Sequence, residues 1–327
     1  MAIIDKAGDY FNTVLYTGNG SNRSITGVGF APDLVWIKDA TRVEDHNIFD
    51  TTRGTTKRIF SNSTAAESAE SNSLTGFGSD GFSLGTSSSV NYNSDGYNSW
   101  NWKKKAGVFD IVSYTGNGSN RTISHSLGVV PTYMIVKNLP GTFNWGTYSS
   151  FVGPTKSTEL NNAAAPETNS GAWNNTSPTA SVFSVGTDNT FNQNGSAYIA
   201  YLFGNSSISR SGSYVGNGST DGPNIFLPFK PAWIMIRKNA AQSWIIQNNK
   251  SNPFNPVSGN MKALKANTTG TQEDEASHRI DYLSNGFKLR YNWEGNNSSG
   301  TDYFYLAFAE NPFVTSTDNG SIPSPAR

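Results

Sequence analysis

The stretch Tyr16-Thr17-Gly18-Asn19-Gly20-Ser21-Asn22-Arg23 decides the fold. It returns unchanged as Tyr114-Thr115-Gly116-Asn117-Gly118-Ser119-Asn120-Arg121 and, more loosely, as Tyr214-Val215-Gly216-Asn217-Gly218-Ser219. The copies start at positions 16, 114 and 214, so the periods are 98 and 100 residues. Solenoid repeats run about 20–50 residues, whereas roughly 100 residues make a whole small domain. The 327-residue chain therefore reads as one domain written three times. The expected boundaries are a lead at 1–11, repeats at 12–105, 108–204 and 210–313, and a coreless tail at 314–327, where Pro323 and Pro325 stand among Ser, Thr and Gly.

Four more landmarks recur in each repeat. A strand with a proline near its start comes first: Pro32–Lys38, Pro131–Lys137 and Pro231–Arg237. Proline is tolerated there because no ladder donor is needed, and the β-branched and aromatic residues that follow suit a pleated, half-buried surface. A shorter strand follows at His46–Asp50, Trp145–Tyr148 and Trp244–Gln247. Next come the tight-turn pairs Asp80-Gly81 and Asn285-Gly286, each leading into alternating apolar residues; Ala180–Val185 alternates likewise but lacks the glycine. The closing strands are Tyr97–Trp102, Tyr198–Phe203 and Tyr303–Phe308. The last two are apolar on both alternating sets, so both faces should be covered, one by the repeat's own sandwich and the other by a neighbouring repeat or subunit. Between the second and third landmarks lies a polar insertion of about 30 residues, long for a loop, whose echoes Arg58–Asn62, Thr158–Asn162 and Ala263–Asn267 should tuck it onto the sheet. One or two helical turns are expected within Ser63–Ser73 and Glu273–Ser277. The fold class is all-β, three tandem jelly-roll-like antiparallel sandwiches.

Composition excludes whole classes. Lys and Arg total 24 and so do Asp and Glu, which argues against general attraction to nucleic acid or anionic membrane. No apolar run reaches the roughly 20 residues that span a bilayer, and no signal peptide is visible at Met1–Lys6, so synthesis in a host cytoplasm is expected. With no cysteine, disulfides, thiolate metal sites and cysteine nucleophiles are out.

No metal, cofactor or catalytic constellation is expected. His46, His125 and His278 are scattered without ligand spacing. Asn91–Gly96 opens like a calcium loop, but the twelfth position holds Trp102 where a bidentate Glu is needed. Gly18-Asn19-Gly20 precedes no helix and no Gly-Lys-Ser/Thr, so it is not a phosphate loop. Gly18, Gly20, Gly116, Gly118, Gly216 and Gly218 are read instead as turn glycines with positive φ. Glycoside cleavage needs carboxylates facing across a bond, and the acidic cluster Glu273-Asp274-Glu275 places them side by side. Trp36 and Trp233 lie in core strands. Trp173 and Trp293, each in a polar loop, are the candidates for stacking on glycan or on a protein partner.

The repeat resembles a module of uncharacterised structural proteins of tailed bacteriophages, especially marine and cyanobacterial ones. The resemblance rests on "YTGNGSNRSITGVGFAPDLVWIK", "DTTRG" and "SDGFSLG" in residues 16–85, on "PTYMIVK" and "AYIAYLF" in the second repeat, and on "PAWIMIRK", "DYLSNGFKLR" and "YLAFAENPF" in the third. It implies a non-enzymatic protein of the virion surface, of head-decoration or tail-fibre type, whose partners are other virion proteins. A receptor-binding fibre that grips host glycan is the alternative, and a polysaccharide-degrading tailspike the third. The short lead and the absence of a shaft pattern suit a compact decoration or cap protein, and three similar domains suit a homo-oligomer or a pseudo-three-fold position on a capsid.

Overall fold

A computed structural model describes Ile4 and residues 6–312; the expected tail at 314–327 lies outside the described residues. The chain is all-β, and among the described residues no sheet mixes strands from two repeats. Each repeat is a sandwich of a large and a small antiparallel sheet. The opening strand of the large sheet (Phe11–Thr17, Phe109–Thr115, Ser209–Val215) pairs with the closing strand (Gly96–Trp102, Ala197–Phe203, Asp302–Pro312). That strand pairs on its other side with the proline-led strand (Leu34–Asp39, Tyr133–Asn138, Phe229–Lys238), and the short strand (Asn47–Asp50, Trp145–Ser149, Ile245–Asn248) follows. The jelly-roll label is not established by this order, because the chain leaves the proline-led strand by a hairpin that stays in the same sheet.

The small sheet shows what one glycine changes. In repeats 1 and 3 the Asp80-Gly81 and Asn285-Gly286 turns close hairpins, Leu74–Gly78 with Gly81–Leu84 and Ile280–Leu283 with Gly286–Leu289. Both glycines have φ near +145° (+145° and +144°), which a side chain rarely adopts. Repeat 2, without that glycine, has only Arg121–Ser124 against Val182–Val185, and a helical turn, Ser170–Trp173, precedes the second of these strands. The expected helical turn within 63–73 is absent; the segment contributes the short strand Ser68–Ala69, while at 273–278 a strand Glu273–Glu275 leads into a 3-10 turn, Ala276–His278.

Side chains alternate between two faces along a strand, and both faces of the proline-led strands at the centre of the large sheets are buried. Val35 and Ile37 enter the core of repeat 1 with Ile25, Phe82 and Leu84; Met134 and Val136 do the same in repeat 2 with Phe183 and Val185. Leu34, Trp36, Tyr133, Ile135, Trp233 and Met235 enter a single core that all three repeats share. Trp102 of repeat 1 meets Trp233 and Phe308 of repeat 3 with ring centroids 5.7 Å apart in both pairs, and Phe203 of repeat 2 meets Phe308 at 5.8 Å. A void of about 10 Å³ remains among residues of all three repeats, at the lower limit for holding one water. The covered second face is thus met by neighbouring repeats. The insertions contribute as well: their echo residues Ile59, Leu160 and Leu264 are buried in this shared core.

Three related interfaces close the ring. Trp145 Nε1 donates to the Phe60 carbonyl at 2.8 Å, and Trp244 Nε1 to the Glu159 carbonyl at 2.9 Å. At the third junction, back from repeat 1 to repeat 3, the donor is His46 Nε2, 3.1 Å from the Lys265 carbonyl. Its tautomer is set by Trp36 Nε1, which donates to His46 Nδ1 at 2.8 Å. One buried cation serves each junction too: Lys137 Nζ donates to the Thr64 carbonyl, Arg237 to that of Ala164, and Lys38 Nζ to that of Thr269.

Candidate functional site

The Gly-Asn-Gly turn is held by the same device three times. Its flanking tyrosine stacks on the tyrosine opposite it in the closing strand: Tyr16 on Tyr97 and Tyr114 on Tyr198 at 4.9 Å, Tyr214 on Tyr303 at 5.2 Å. A buried asparagine (Asn91, Asn192, Asn297) accepts from the backbone N–H of Asn19, Asn117 or Asn217 and donates to the carbonyl of Ser21, Ser119 or Ser219. The Asn91–Gly96 segment is therefore half of a turn clamp. The six glycines divide into two kinds. Gly20, Gly118 and Gly218 have φ of +66°, +71° and +67°, as expected. Gly18, Gly116 and Gly216 do not, which corrects the expectation for them. A Cβ there would overlap the carbonyl oxygens of Tyr92, Gln193 and Ser298, so close backbone approach demands glycine.

The two tryptophans offered for glycan contact fare differently. Trp173 is 1% exposed and packs against Tyr148 and Phe191 in the core of repeat 2, so, against expectation, its indole is a packing group with no face open to a ligand. Trp293 is half-buried, edge-on to buried His278 at 4.8 Å. The structure does not bring the two together: they lie in different repeats. Nor do the acids of Glu273–Glu275 face one another across a cleft. Glu273 accepts from His278 at 2.9 Å and pairs with Lys265 at 2.5 Å, and the His278 hydrogen bond above all holds its carboxyl down to about 2. Among the described residues no group of three or more His, Cys, Asp and Glu is placed to hold a metal ion, and no helix is long and apolar enough to cross a membrane.

Burial also explains the charges at the junctions. Desolvation lowers Lys38 and Lys137 to about 8 and pulls Arg237 down to about 10; carbonyl acceptors satisfy N–H groups without supplying a countercharge. His46, fully buried beside Lys38, is held well below its ordinary value and is neutral. Asp50 and Arg53 form a buried ion pair at 2.5 Å, and Tyr201 of repeat 2 donates to the same carboxylate at 2.7 Å. These groups bind repeats to one another.

The outer faces of the small sheets are where the repeats differ. On the face turned away from the repeat's own core, repeat 1 has the row Ser24, Ser83 and Gly76, and repeat 2 has Thr122 beside Ser184, which is itself buried. In repeat 3 the row is Asn224, Lys288 and Asp281, beside a second row of Phe226, Gly286 and Leu283. A cleft of about 620 Å³ lies against this face, lined by Arg279, Asp281, Leu283, Arg290 and the loop residues Asn255 to Val257. Sequence reading missed it; the signal available was that Lys288 and Arg290 stand where repeat 1 has Ser83 and Gly85 and repeat 2 has Ser184 and Gly186.

Fold and surface together define a triplicated all-β protein whose three sandwiches share one core and whose third sandwich carries a charged cleft. The chain belongs to the DUF7483 family, a domain of unknown function, which it matches over residues 6–312. That single match spans all three repeats. A search of curated proteins finds no match.

Proposed function

We propose that this protein is a non-enzymatic surface component of a tailed-phage particle, a decoration or cap protein that works through contacts with other virion proteins. The observation that carries the reading is the closed ring: three homologous sandwiches joined by three matching interfaces around one buried core. Such a block presents three related outer surfaces at fixed angles, which suits a three-fold or local three-fold surrounding. Dense backbone pairing, dry aromatic packing and few surface charges suit a part that must persist outside the cell.

Mass spectrometry and cryo-electron microscopy of purified particles of the encoding phage test this. Many copies per particle, with density at a three-fold or quasi-three-fold position, are expected. Absence of the chain from purified particles would overturn the reading, and one or two dozen copies confined to the tail would replace decoration by a fibre role.

A further inference from the structure

We propose that the outer face of the third repeat's small sheet is a binding site for an acidic saccharide, a sugar ligand carrying carboxylate as well as hydroxyl groups. The inference stands whether or not the chain is a virion component. The first support is internal comparison. One module occurs three times in one chain, and in the other two copies the matching strand positions on this face carry no charged side chain: Ser24, Ser83 and Gly76 in repeat 1, Thr122, Ser124, Val182 and Ser184 in repeat 2. The third copy departs from that plain surface where the cleft lies.

The chemistry of the cleft selects the ligand class. Arg290 Nε donates to Asp281 at 2.5 Å, and its guanidinium lies 3.5 Å from Asp221, an exposed residue that also pairs with Lys288 at 2.7 Å. Arg279 donates to the carbonyls of Val257 and Arg290, and its buried Nε has no hydrogen-bond partner. Within the cleft two guanidiniums, Arg279 and Arg290, thus stand against the one carboxylate of Asp281, with the Lys288–Asp221 pair beside it. Guanidinium groups take a carboxylate through paired N–H donors, and the spare lone pairs of Asp281 accept from hydroxyls. A ligand with both groups satisfies both sets. A polyacidic peptide would meet the two aspartates with like charge, and a neutral sugar would leave the guanidiniums unused. Gly286, without a side chain, separates the exposed Phe226 from Leu283 and leaves a low apolar strip for a sugar ring. The cleft volume, about 620 Å³, falls within the roughly 300–1,000 Å³ of small-molecule sites.

Calorimetric titration of the full chain tests the assignment with digalacturonate and sialyllactose as acidic saccharides, lactose as the neutral counterpart and tetraglutamate as the acidic peptide. Saturable binding of at least one acidic saccharide is expected, weakened by added salt. Arg290→Gln should weaken it roughly tenfold or more, as loss of a charge-assisted pair implies. Because Arg290→Gln also removes the pairs with Asp281 and Asp221, Leu283→Asp is the second variant: it adds repulsion in the cleft and leaves every ion pair in place. Thr122→Ala, on the corresponding face of repeat 2, should bind as the parent does. The proposal is overturned if neither acidic saccharide binds, if lactose or tetraglutamate binds as tightly, or if binding survives unchanged in both cleft variants.

Discussion

Gly18 and Gly20 stand two residues apart and are glycine for different reasons. Gly18 has no room for a Cβ, because the Tyr92 carbonyl occupies that space; Gly20 has the room but sits at φ +66°. Substitutions should separate the two. Gly18→Ala forces the backbone of two clamped segments apart and is expected to cost about 1–3 kcal/mol, as overpacking does. Gly20→Asn should cost much less, since Asn visits the left-handed region, whereas Gly20→Val should cost roughly 1–2 kcal/mol. Thermal melts of the three variants check this; a Gly18→Ala protein that melts with the parent would show that the clamp yields. The turn itself was legible from its repetition. The reason for Gly18 was not, because the atom that excludes a side chain arrives from residue 92, and local spacing carries no record of it. Trp173 failed for a related reason. Its polar neighbours Asn174 and Asn175 do mark a turn, both with positive φ of 51° and 49°, but composition does not say to which side of a turn the indole points.

Along the proline-led strands, alternation was readable and its consequence was not. The same alternation that puts Trp36, Ile135 and Met235 into the shared core carries Lys38, Lys137 and Arg237 into the junctions, where strand ends ordinarily turn lysine to water. The insertions also bond across the junctions, which local sequence does not show: Glu67 N–H donates to the Leu139 carbonyl at 2.8 Å, and Gln272 N–H to that of Ala40 at 2.9 Å. The buried lysines give a pH signature. Lys38 and Lys137 lose their protons near 8 in the folded chain against 10.5 in the open one. Between those values the unfolded state binds more protons, so stability rises with pH. Buried Tyr16, Tyr114 and Tyr214 are raised well above 10.0; beyond that pH the unfolded chain releases protons that the fold retains, and stability falls. The melting temperature should therefore climb from about pH 8 towards pH 10 and then drop, and Lys38→Met with Lys137→Met should flatten the climb. A flat parent profile across that window would mean that the two ammonium groups remain hydrated.

At the scale of the molecule, the three repeats form one interlocked body around a shared core. Repetition with a 100-residue period is equally compatible with beads on a string and with a ring, because the sequence of a repeat does not state which of its faces meets the next copy. The doubly apolar closing strands held the clue, and the structure uses them to close repeat 3 onto repeat 1. The N-terminal lead reinforces that closure: Ala7 is buried in the shared core and the Ile4 N–H donates to Ser207 Oγ at 3.1 Å. A head-to-tail interface that closes leaves no unsatisfied end, whereas one that is opened offers complementary surfaces at both ends. A chain ending at Asn205 keeps two sandwiches with all their internal strand pairs, yet bares Trp36, Trp102, Tyr133 and Phe203 on one contiguous face and leaves the Lys265 and Thr269 acceptors missing for His46 and Lys38. Exposed apolar patches larger than a few hundred Å² drive association. This truncated chain is therefore expected to run as oligomers or aggregate in size-exclusion chromatography with light scattering, and the isolated third repeat to do the same. Adding the missing repeat in trans should restore a 1:1 complex of full-length mass if the interfaces carry the assembly. Two truncated pieces that each remain monomeric, melt cooperatively and ignore one another would show that the shared core is dispensable and that each sandwich is stable alone.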